Sequence, residues 1–328
     1  MKSSLSTKAA WQLTANEAYN QCAAPAVSVI ITLYNYAAYI EGCLNSVLAS
    51  KAGGIPGGFE VIVVDDASTD SSADLAEDYI AASPLPACLV KKAINTGVAD
   101  ARNLGLLIAR APLVFMLDAD NEIRPECLQV HYEALAASGQ AMAYGIINRF
   151  DSATRQSLGT LSDSEWNVRN LVAGSLRIDT MAMIRKEALL HVGGYSTEYR
   201  MALVQGWEDY DLCLKLAQAG YAGKFIPQVL SDYRVHAGSM INRALPMQAE
   251  VSAYQARKFF ALARACDDAP VLFGTSRLEL ETAYTRAVPA PLPQIRRTPP
   301  RLVHRLLGKK IRRSLNKRLN AIYAWLNK

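Results

Sequence analysis

The chain lacks the features that would place it in a membrane or outside the cell. It has no apolar run of about 18 residues, the length that a membrane-spanning helix needs. Its first residues, MKSSLSTKAAWQLTANEAYNQCAAP, lack the apolar centre of a secretory signal. Its six cysteines follow neither CxxC nor CxH spacing, so they indicate neither a zinc site nor a disulfide framework. We therefore expect a cytoplasmic protein with reduced thiols.

Acidic residues are missing from the end of the chain. Residues 291–328 contain eleven Lys or Arg and no Asp or Glu, which leaves 24 basic and 30 acidic residues for the remainder. A proline-rich stretch at 287–300 precedes most of this basic segment and interrupts any helix. After it, apolar residues recur every three to five positions between basic ones, as in an amphipathic helix.

Three interpretations of residues 295–328 stay open. The favoured one is a helix lying on an anionic membrane surface, which would make the protein peripheral on the inner face of the plasma membrane. The second is a helix packed on the body or on a partner subunit, since a homo-oligomer is not excluded. A nucleic-acid arm is the weakest, and we expect no nucleic-acid partner.

The body of the chain alternates short apolar runs with amphipathic segments. The composition is 51% hydrophobic, which allows a substantial core. The pattern predicts strands at 27–32, 59–66, 87–93 and 112–120, with helices at 36–50, 68–82 and 97–110 between them. Such an alternation is typical of a parallel sheet covered by helices, in which ligands bind at the carboxyl ends of the strands.

Acidic residues follow two of these predicted strands. Asp65 and Asp66 end the second strand, and Asp118 and Asp120 flank one alanine at the end of the fourth. Carboxylates crowded at one edge of a sheet repel each other unless a cation or hydrogen-bond donors compensate. An Asp-x-Asp at a strand end is therefore a plausible anchor for a divalent metal that also binds a diphosphate, although in a surface loop the same pattern is usually a solvated turn.

Five segments between about residues 26 and 240 resemble the family 2 glycosyltransferases of the GT-A fold, in the order of that family. They are VSVIITLYNYAAYIEGCLNSVLAS, FEVIVVDDASTDSS, NTGVADARNLGL, FMLDADN and GWEDYDLCLKLAQAGY. The resemblance implies a Rossmann-like αβα sandwich and an enzyme that transfers a sugar with inversion from a nucleotide sugar, with UDP preferred. It implies a glycan or lipid-linked acceptor in cell-envelope or exopolysaccharide assembly.

The resemblance assigns the donor site to residues around the strand ends, with the nucleoside near Asp66. Gly97 permits close backbone approach, and the following helix N-terminus with Arg102 offers positive potential to a diphosphate. Two simpler interpretations stay open: Ser68 or Thr69 caps a helix, and Arg102 forms a salt bridge with Asp65 or Asp118. The predicted nucleotide-sugar site comprises Thr32, Tyr34, Asn35, Asp65, Asp66, Asn95, Gly97, Arg102, Asp118, Asp120 and Trp207.

The resemblance also implies a cofactor, Mn²⁺ or Mg²⁺. Asp120 would ligate the metal directly, and Asp118 would contact the ribose, the metal or the donor sugar. His236, in YRVHAGSM, would be a further ligand, since Mn²⁺ accepts imidazole. A lone histidine is more often a packed or solvent-facing residue, and that alternative stays open.

Inverting transfer requires a base for the proton of the acceptor hydroxyl. The resemblance gives this role to the second acid of GWEDYDL, Asp209, with Glu208 beside it. The alternative is that these acids, with Asp211, are placed at the start of a helix because its dipole favours them. Trp207 would border a sugar or be an ordinary buried aromatic.

These assignments predict four regions. They are an N-terminal extension at 1–24, a glycosyltransferase domain at 25–244, a helical extension with a Pro-rich linker at 245–294 and the basic helical tail at 295–328. Two alternative functions stay open. One is a nucleotidyltransferase, which usually has a Gly-rich loop after its first strand, and the other is a non-catalytic nucleotide-sugar-binding relative. A phospho-receiver would leave the later acidic motifs unexplained.

Overall fold

The computed structural model describes residues 10–51, 53–174, 176, 178–179, 181–201, 206–236 and 248–280. The described residues all belong to one compact unit. The predicted basic tail at 295–328 lies outside the described residues. In the part of the chain that is described, no helix is both long and apolar enough to cross a membrane.

The strands are short and lie throughout the described chain. They are β1 (Trp11–Ala15), β2 (Val27–Leu33), β3 (Phe59–Asp65), β4 (Ala87–Lys92), β5 (Leu113–Asp118), β6 (Glu122–Ile123), β7 (Met142–Asp151), β8 (Ser157–Leu161), β9 (Ala182–Arg185), β10 (Gly223–Val235), β11 (Val271–Leu272) and β12 (Thr275–Ser276). The four strands expected from the sequence correspond to β2, β3, β4 and β5.

The helices alternate with these strands in the first half of the chain and cluster in the second half. They are α1 (Glu17–Gln21), α2 (Ile40–Leu48), α3 (Ser72–Ala82), α4 (Val98–Ile108), α5 (Cys127–Ser138), α6 (Val168–Ala173), α7 (Lys186–His191), α8 (Glu198–Met201), α9 (Glu208–Gln218), α10 (Gln248–Lys258) and α11 (Phe260–Ala265). The helices expected between the first four strands correspond to α2, α3 and α4.

Ten strands form one mixed sheet in the order β1-β4-β3-β2-β5-β9-β7-β10-β6, with β8 paired to β7. β2 is parallel to both β3 and β5, and β3 is parallel to β4. In this register Thr32 lies beside Val64 on one side and Asp118 on the other. The carboxyl ends of β2, β3 and β5 therefore meet at one edge of the sheet.

Helices cover both faces of the sheet, and each face has its own apolar core. α4 packs on β2 and β3 and joins a core that includes residues of α9 and α10. α2, α3 and α5 contribute to the core of the opposite face. β2 and β3 are buried along their whole length, which is why they read as continuous apolar runs rather than alternating ones. The predicted αβα sandwich is confirmed.

β1 and α1 lie in the predicted N-terminal extension, for which the sequence predicted no strand or helix. β1 pairs antiparallel with β4 at the sheet edge. The side chain of Asn16 caps α1, because its Oδ1 accepts from the backbone N–H of Tyr19 at 2.9 Å. The same side chain ties α1 to the segment before β4, since its Nδ2 lies within 3.1 Å of the carbonyls of Ile80, Ser83 and Leu85. β1 is largely exposed, so it lacks the apolar signal of the inner strands.

Candidate active site

The loops that follow β2 and β3 are tied together by hydrogen bonds. Asn35 has a positive φ of 56°; its backbone N–H donates to Ser68 Oγ at 3.0 Å, and its Oδ1 accepts from the backbone N–H of Thr69 at 2.8 Å. Ser68 N also donates to the carboxylate of Asp65, whose pKa is raised by burial. α3 begins only at Ser72, so the interpretation of Ser68 or Thr69 as its N-cap is wrong. Tyr34 is exposed beside this loop pair.

Asp66 is buried and holds the loop before α4. Its carboxylate accepts from Lys92 Nζ at 2.6 Å, from the backbone N–H of Thr96 at 2.9 Å and from that of Gly97 at 2.7 Å. Gly97 adopts a φ of 96°, which a side chain would strain. Asp66 therefore fixes the backbone of the loop that carries Asn95 and Gly97. This structural role is separate from its predicted contact with the nucleoside.

Arg102, on α4, joins two carboxylates that lie far apart in the sequence. Its Nη1 donates to Asp209 Oδ1 at 2.7 Å, and its Nη2 donates to Asp118 Oδ1 at 2.9 Å. The guanidinium side chain is 2% exposed. Burial lowers the pKa of Arg102, but the two carboxylates outweigh it and keep the pKa above its usual range. The salt bridge considered from the sequence thus forms with Asp118, and not with Asp65.

Asp118 is held on its other side by β2. Thr32 Oγ1 donates to Asp118 Oδ1 at 2.8 Å, an interaction that the parallel register of β2 and β5 makes inevitable. The strand end thus fixes the carboxylate through one neutral and one charged donor. The charge of Asp118 is already balanced by Arg102, so this side chain is oriented before any ligand arrives.

Asp120 and His236 meet at the end of β10. His236 Nε2 lies 3.1 Å from Asp120 Oδ2, and the imidazole packs against the rings of Tyr36 and Tyr39. The pKa of Asp120 is raised first by burial and then by the neighbouring charge of Asp118. A divalent cation at this position would relieve both effects, since it would replace a lost hydration shell and offset the repulsion.

The predicted metal ligands are brought together only in part. Within the described residues no group of three or more His, Cys, Asp or Glu side chains converges on one point. Asp118 faces Arg102 and Thr32, while Asp120 and His236 face each other. One carboxylate and one imidazole fit Mn²⁺ or Mg²⁺ when a substrate diphosphate supplies further oxygens, because such ions commonly bind through one or two protein ligands.

Arg234, which the sequence analysis did not single out, shapes the loop that carries Asp120. Its Nε donates to the backbone carbonyl of Asp120 at 2.9 Å, and its backbone N–H donates to Asn121 Oδ1 at 3.0 Å. Its Nη2 also contacts Glu122, and its guanidinium lies 4.9 Å from the ring centre of Tyr39. The sequence signal for Arg234 was its position two residues before His236, in the segment that was expected to supply a metal ligand.

The two acids that open α9 have different surroundings. Glu208 is buried, and its Oε2 accepts from the backbone N–H of Gly206 at 2.7 Å, so it stabilises the turn before the helix. Burial raises its pKa. The side chain of Asp209 is 27% exposed while one oxygen is held by Arg102. Trp207 is 4% exposed and packs edge-on against Tyr210, as in the buried alternative.

Asp179 is a second residue of the site that was not expected from the sequence. It follows the buried Ile178, and its Oδ1 accepts from the backbone N–H of Met181 at 3.3 Å. Burial, and then the charges of Asp209 and Asp118, raise the pKa of Asp179 to about 7. The available signal was an acid between the apolar residues Ile178 and Met181 just before β9, because a carboxylate among buried residues requires a neighbouring polar site.

Comparisons with known proteins concern the family and the fold. The family model described as Glycosyl transferase family 2 matches residues 28–193, just over half of the chain. The chain is 25% identical over 230 residues to the putative glycosyltransferase EpsH of Bacillus subtilis, a match that covers 67% of this chain and 63% of EpsH. The chain therefore spans less than two thirds of the length of this curated relative.

Two solved structures share the fold. The mannosyltransferase PcManGT from Pyrobaculum calidifontis, in complex with GDP-Man and Mn²⁺, superposes with a TM-score of 0.54 at 22% identity, covering 80% of this chain and 70% of that one. TarS of S. aureus in complex with UDP-GlcNAc gives a TM-score of 0.52 at 19% identity, covering 78% and 69%. These likenesses confirm the GT-A fold, and the match of the family model shows that the chain belongs to glycosyl transferase family 2.

Proposed function

We propose that this protein is an inverting glycosyltransferase that moves a sugar from a nucleotide diphosphate sugar to a glycan or lipid-linked acceptor. The observation that carries the proposal is the bridge made by Arg102. It brings Asp118, at the predicted donor end of β5, and Asp209, the predicted base on α9, onto one guanidinium. A base and a donor-site carboxylate held at one point are what a single displacement at the anomeric carbon requires.

Asp209 takes the proton in the proposed reaction. Its side chain is accessible, whereas that of Glu208 is buried against the backbone. As the acceptor oxygen forms its bond to the anomeric carbon, the hydroxyl proton passes to the Asp209 carboxylate. The bond between the anomeric carbon and the diphosphate oxygen breaks, and the bonding electrons leave with the nucleotide diphosphate. Arg102 keeps the carboxylate aimed at the acceptor throughout.

Asp120 and His236 are the proposed protein ligands of Mn²⁺ or Mg²⁺. When bound, the cation would offset the charge that develops on the leaving diphosphate. Asp118 has the proposed role of contacting the ribose or the donor sugar, since its orientation is set by Thr32 and Arg102. Arg234 holds the backbone of Asp120 and so fixes the direction of its carboxylate.

A UDP-sugar is the proposed donor. The resemblance of the sequence motifs favours it, and a solved structure with this fold carries UDP-GlcNAc. GDP-sugars are the comparison class, since the other structure with this fold carries GDP-Man and Mn²⁺. The loop pair after β2 and β3 is the proposed nucleoside site, because Ser68 ties Asn35 to Asp65 there and Tyr34 is exposed beside them.

The acceptor is proposed from the sequence. A glycan or lipid-linked acceptor of cell-envelope or exopolysaccharide assembly agrees with the basic amphipathic pattern of residues 295–328, which would keep the enzyme at an anionic membrane surface. Full-length protein should sediment with anionic liposomes at low salt, and protein truncated after residue 294 should not. If full-length protein ignores such liposomes, the membrane proposal fails.

Release of the nucleotide product tests the reaction itself. The protein would be incubated with UDP-sugars and GDP-sugars, with and without Mn²⁺, and the products would be separated by chromatography. We expect free UDP from one donor, only with metal, and faster with an acceptor extract. UTP formed from a UDP-sugar only when pyrophosphate is added would indicate a nucleotidyltransferase, and binding without turnover for every donor and acceptor would indicate a non-catalytic relative.

A further inference from the structure

α9 carries a third acid, Asp211, whose surroundings differ from those of Asp209. Its side chain is 0% exposed. It accepts hydrogen bonds from Ser196 Oγ at 2.5 Å, from Tyr199 OH at 2.6 Å and from Lys258 Nζ at 2.6 Å. A first-turn acid of a helix needs none of these partners to interact with the helix dipole, so a role as an ordinary N-terminal acid does not explain them.

Lys258 reaches this carboxylate from outside the region that the family model matches. It is the last residue of α10, whereas the match ends at residue 193. Besides Asp211, its ammonium donates to Ser196 Oγ at 2.9 Å and to Glu198 Oε1 at 2.7 Å. All three of its protons thus have an acceptor, and its position is determined by the three contacts together.

Aromatic rings surround the same ammonium group. Its nitrogen lies 5.5 Å from the ring centre of Tyr199, 5.9 Å from that of Tyr254 and 5.3 Å from that of Phe259. Tyr254 OH donates to Glu198 at 3.1 Å, and Gln255 Nε2 lies 3.4 Å from Tyr199 OH. One face of α10 therefore binds α8 and α9 together. In such surroundings the charge of Asp211 needs a cation, since water cannot replace it.

We infer that α10, through Lys258, is a positioning element for the base on α9. The inference rests on the proposed role of Asp209. The first turn of α9 is held at two points: Arg102 binds Asp209 at 2.7 Å, and Lys258 binds Asp211, two residues further on, at 2.6 Å. Two hydroxyl groups also bind Asp211, and Lys258 ties that carboxylate to α10. With both points fixed, the direction of the Asp209 carboxylate toward the acceptor is set.

The consequence is kinetic. A base displaced by about 1 Å loses up to roughly a hundredfold in rate, while a donor bound by other elements is unaffected. The proposed nucleoside site lies on the loops after β2 and β3, whereas Lys258 binds Ser196, Glu198 and Asp211. Lys258→Met should therefore lower kcat by about tenfold or more and leave the affinity for UDP with Mn²⁺ within about twofold.

Loss of stability has to be separated from loss of position. Lys258→Met removes the nearer of two cations from the buried Asp211 carboxylate, since Lys258 Nζ lies 2.6 Å from it and Lys215 Nζ lies 4.0 Å from it, and will lower Tm. The double variant Lys258→Met/Asp211→Asn removes that charge and should recover Tm, yet it does not restore the link between α10 and α9. We expect its kcat to stay low. If kcat recovers together with Tm, Lys258 only stabilises the fold and the inference is overturned.

Two further variants complete the experiment. Arg169→Met is the control, because it breaks an ion pair between α6 and Asp268 that is exposed to solvent. This variant should leave kcat and Tm near wild type. Asp209→Asn measures the base itself. If Asp209→Asn loses turnover and Lys258→Met keeps it, the positioning role alone is wrong. If Asp209→Asn keeps turnover, the proposed base is wrong and the inference falls with it.

Discussion

The two halves of the candidate site are built in different ways. In the nucleotide half, residues 27–97, the loops are joined by hydrogen bonds between residues 26 to 36 positions apart, such as Gly97 to Asp66 and Asn35 to Thr69. In the catalytic half, side chains pair across more than 100 positions, as Arg102 does with Asp209 and His236 with Asp120. The nucleotide half is therefore positioned by adjacent strands, and the catalytic half by elements that lie far apart in the sequence.

This difference decides what each half can tolerate. A carboxylate that accepts backbone N–H donors shapes a loop, so its loss changes stability and binding together. A carboxylate held by a buried arginine and open to solvent on one side keeps the fold when it is made neutral, but loses its proton-accepting power. Substitutions in the two halves should therefore separate binding from turnover.

The largest effect is expected for Asp209→Asn. Turnover should fall by roughly two to four orders of magnitude, the range for loss of a general base, while UDP affinity in Mn²⁺ stays within about twofold. Initial rates of UDP release and calorimetric titration measure the two quantities. Glu187→Gln, an exposed acid of α7, is the control. Near-normal turnover in Asp209→Asn would mean that another group takes the proton.

Asp66→Asn should show the opposite separation. The amide cannot accept from Lys92, Thr96 and Gly97 as the carboxylate does, so we expect a loss of roughly 1 to 3 kcal/mol in the free energy of unfolding. The affinity for UDP should fall as well, with kcat at saturating donor close to wild type. Urea denaturation and steady-state kinetics test this. Unchanged stability would show that the loop does not depend on this carboxylate.

The smallest effect is expected for Asp179→Asn, and it depends on pH. Burial raises the pKa of Asp179 from 3.8 to about 7, so the folded chain holds a proton that the unfolded chain releases. The stability from that proton is present below pH 4 and is lost as the pH rises toward 7. The variant should melt a few degrees above wild type at pH 8 and close to it at pH 4.

Thermal denaturation at both pH values checks this, with Asp74→Asn as the control because its side chain is largely exposed. The control should behave alike at both pH values. A variant of Asp179 that melts below wild type at pH 8 would show that the ionised carboxylate has a stabilising partner, which would contradict the raised pKa.

The nucleotide half could be predicted from the sequence because its signals are local. β2 and β3 are mostly apolar runs, and their functional residues follow where the runs end. β1 could not be found in this way, because an exposed edge strand has no apolar pattern. The partners of Asp66 were also missed, since the sequence does not show that Lys92 turns toward it.

The catalytic half could be predicted only as far as its motifs reached. Asp209 and His236 were found by resemblance, but their partners are fixed by antiparallel and parallel pairings of β5, β9, β7 and β10 that no local pattern reveals. Arg234 and Asp179 were missed for the same reason. Asp118 is the last residue of β5, and Asp120 lies in the turn that follows it. The two side chains therefore do not share one face as residues i and i+2 of a strand do, and Asp118 faces Arg102 while Asp120 faces His236.

The most direct test of the proposed site is the affinity for UDP, measured by calorimetry with and without Mn²⁺, in wild type and in Asp120→Asn. The proposal predicts that Mn²⁺ strengthens UDP binding to wild type, and that Asp120→Asn weakens binding in Mn²⁺ by about 10- to 100-fold while binding without metal hardly changes. Equal strengthening by Mn²⁺ in both proteins would contradict the assignment of Asp120 as the ligand that joins the metal to the diphosphate.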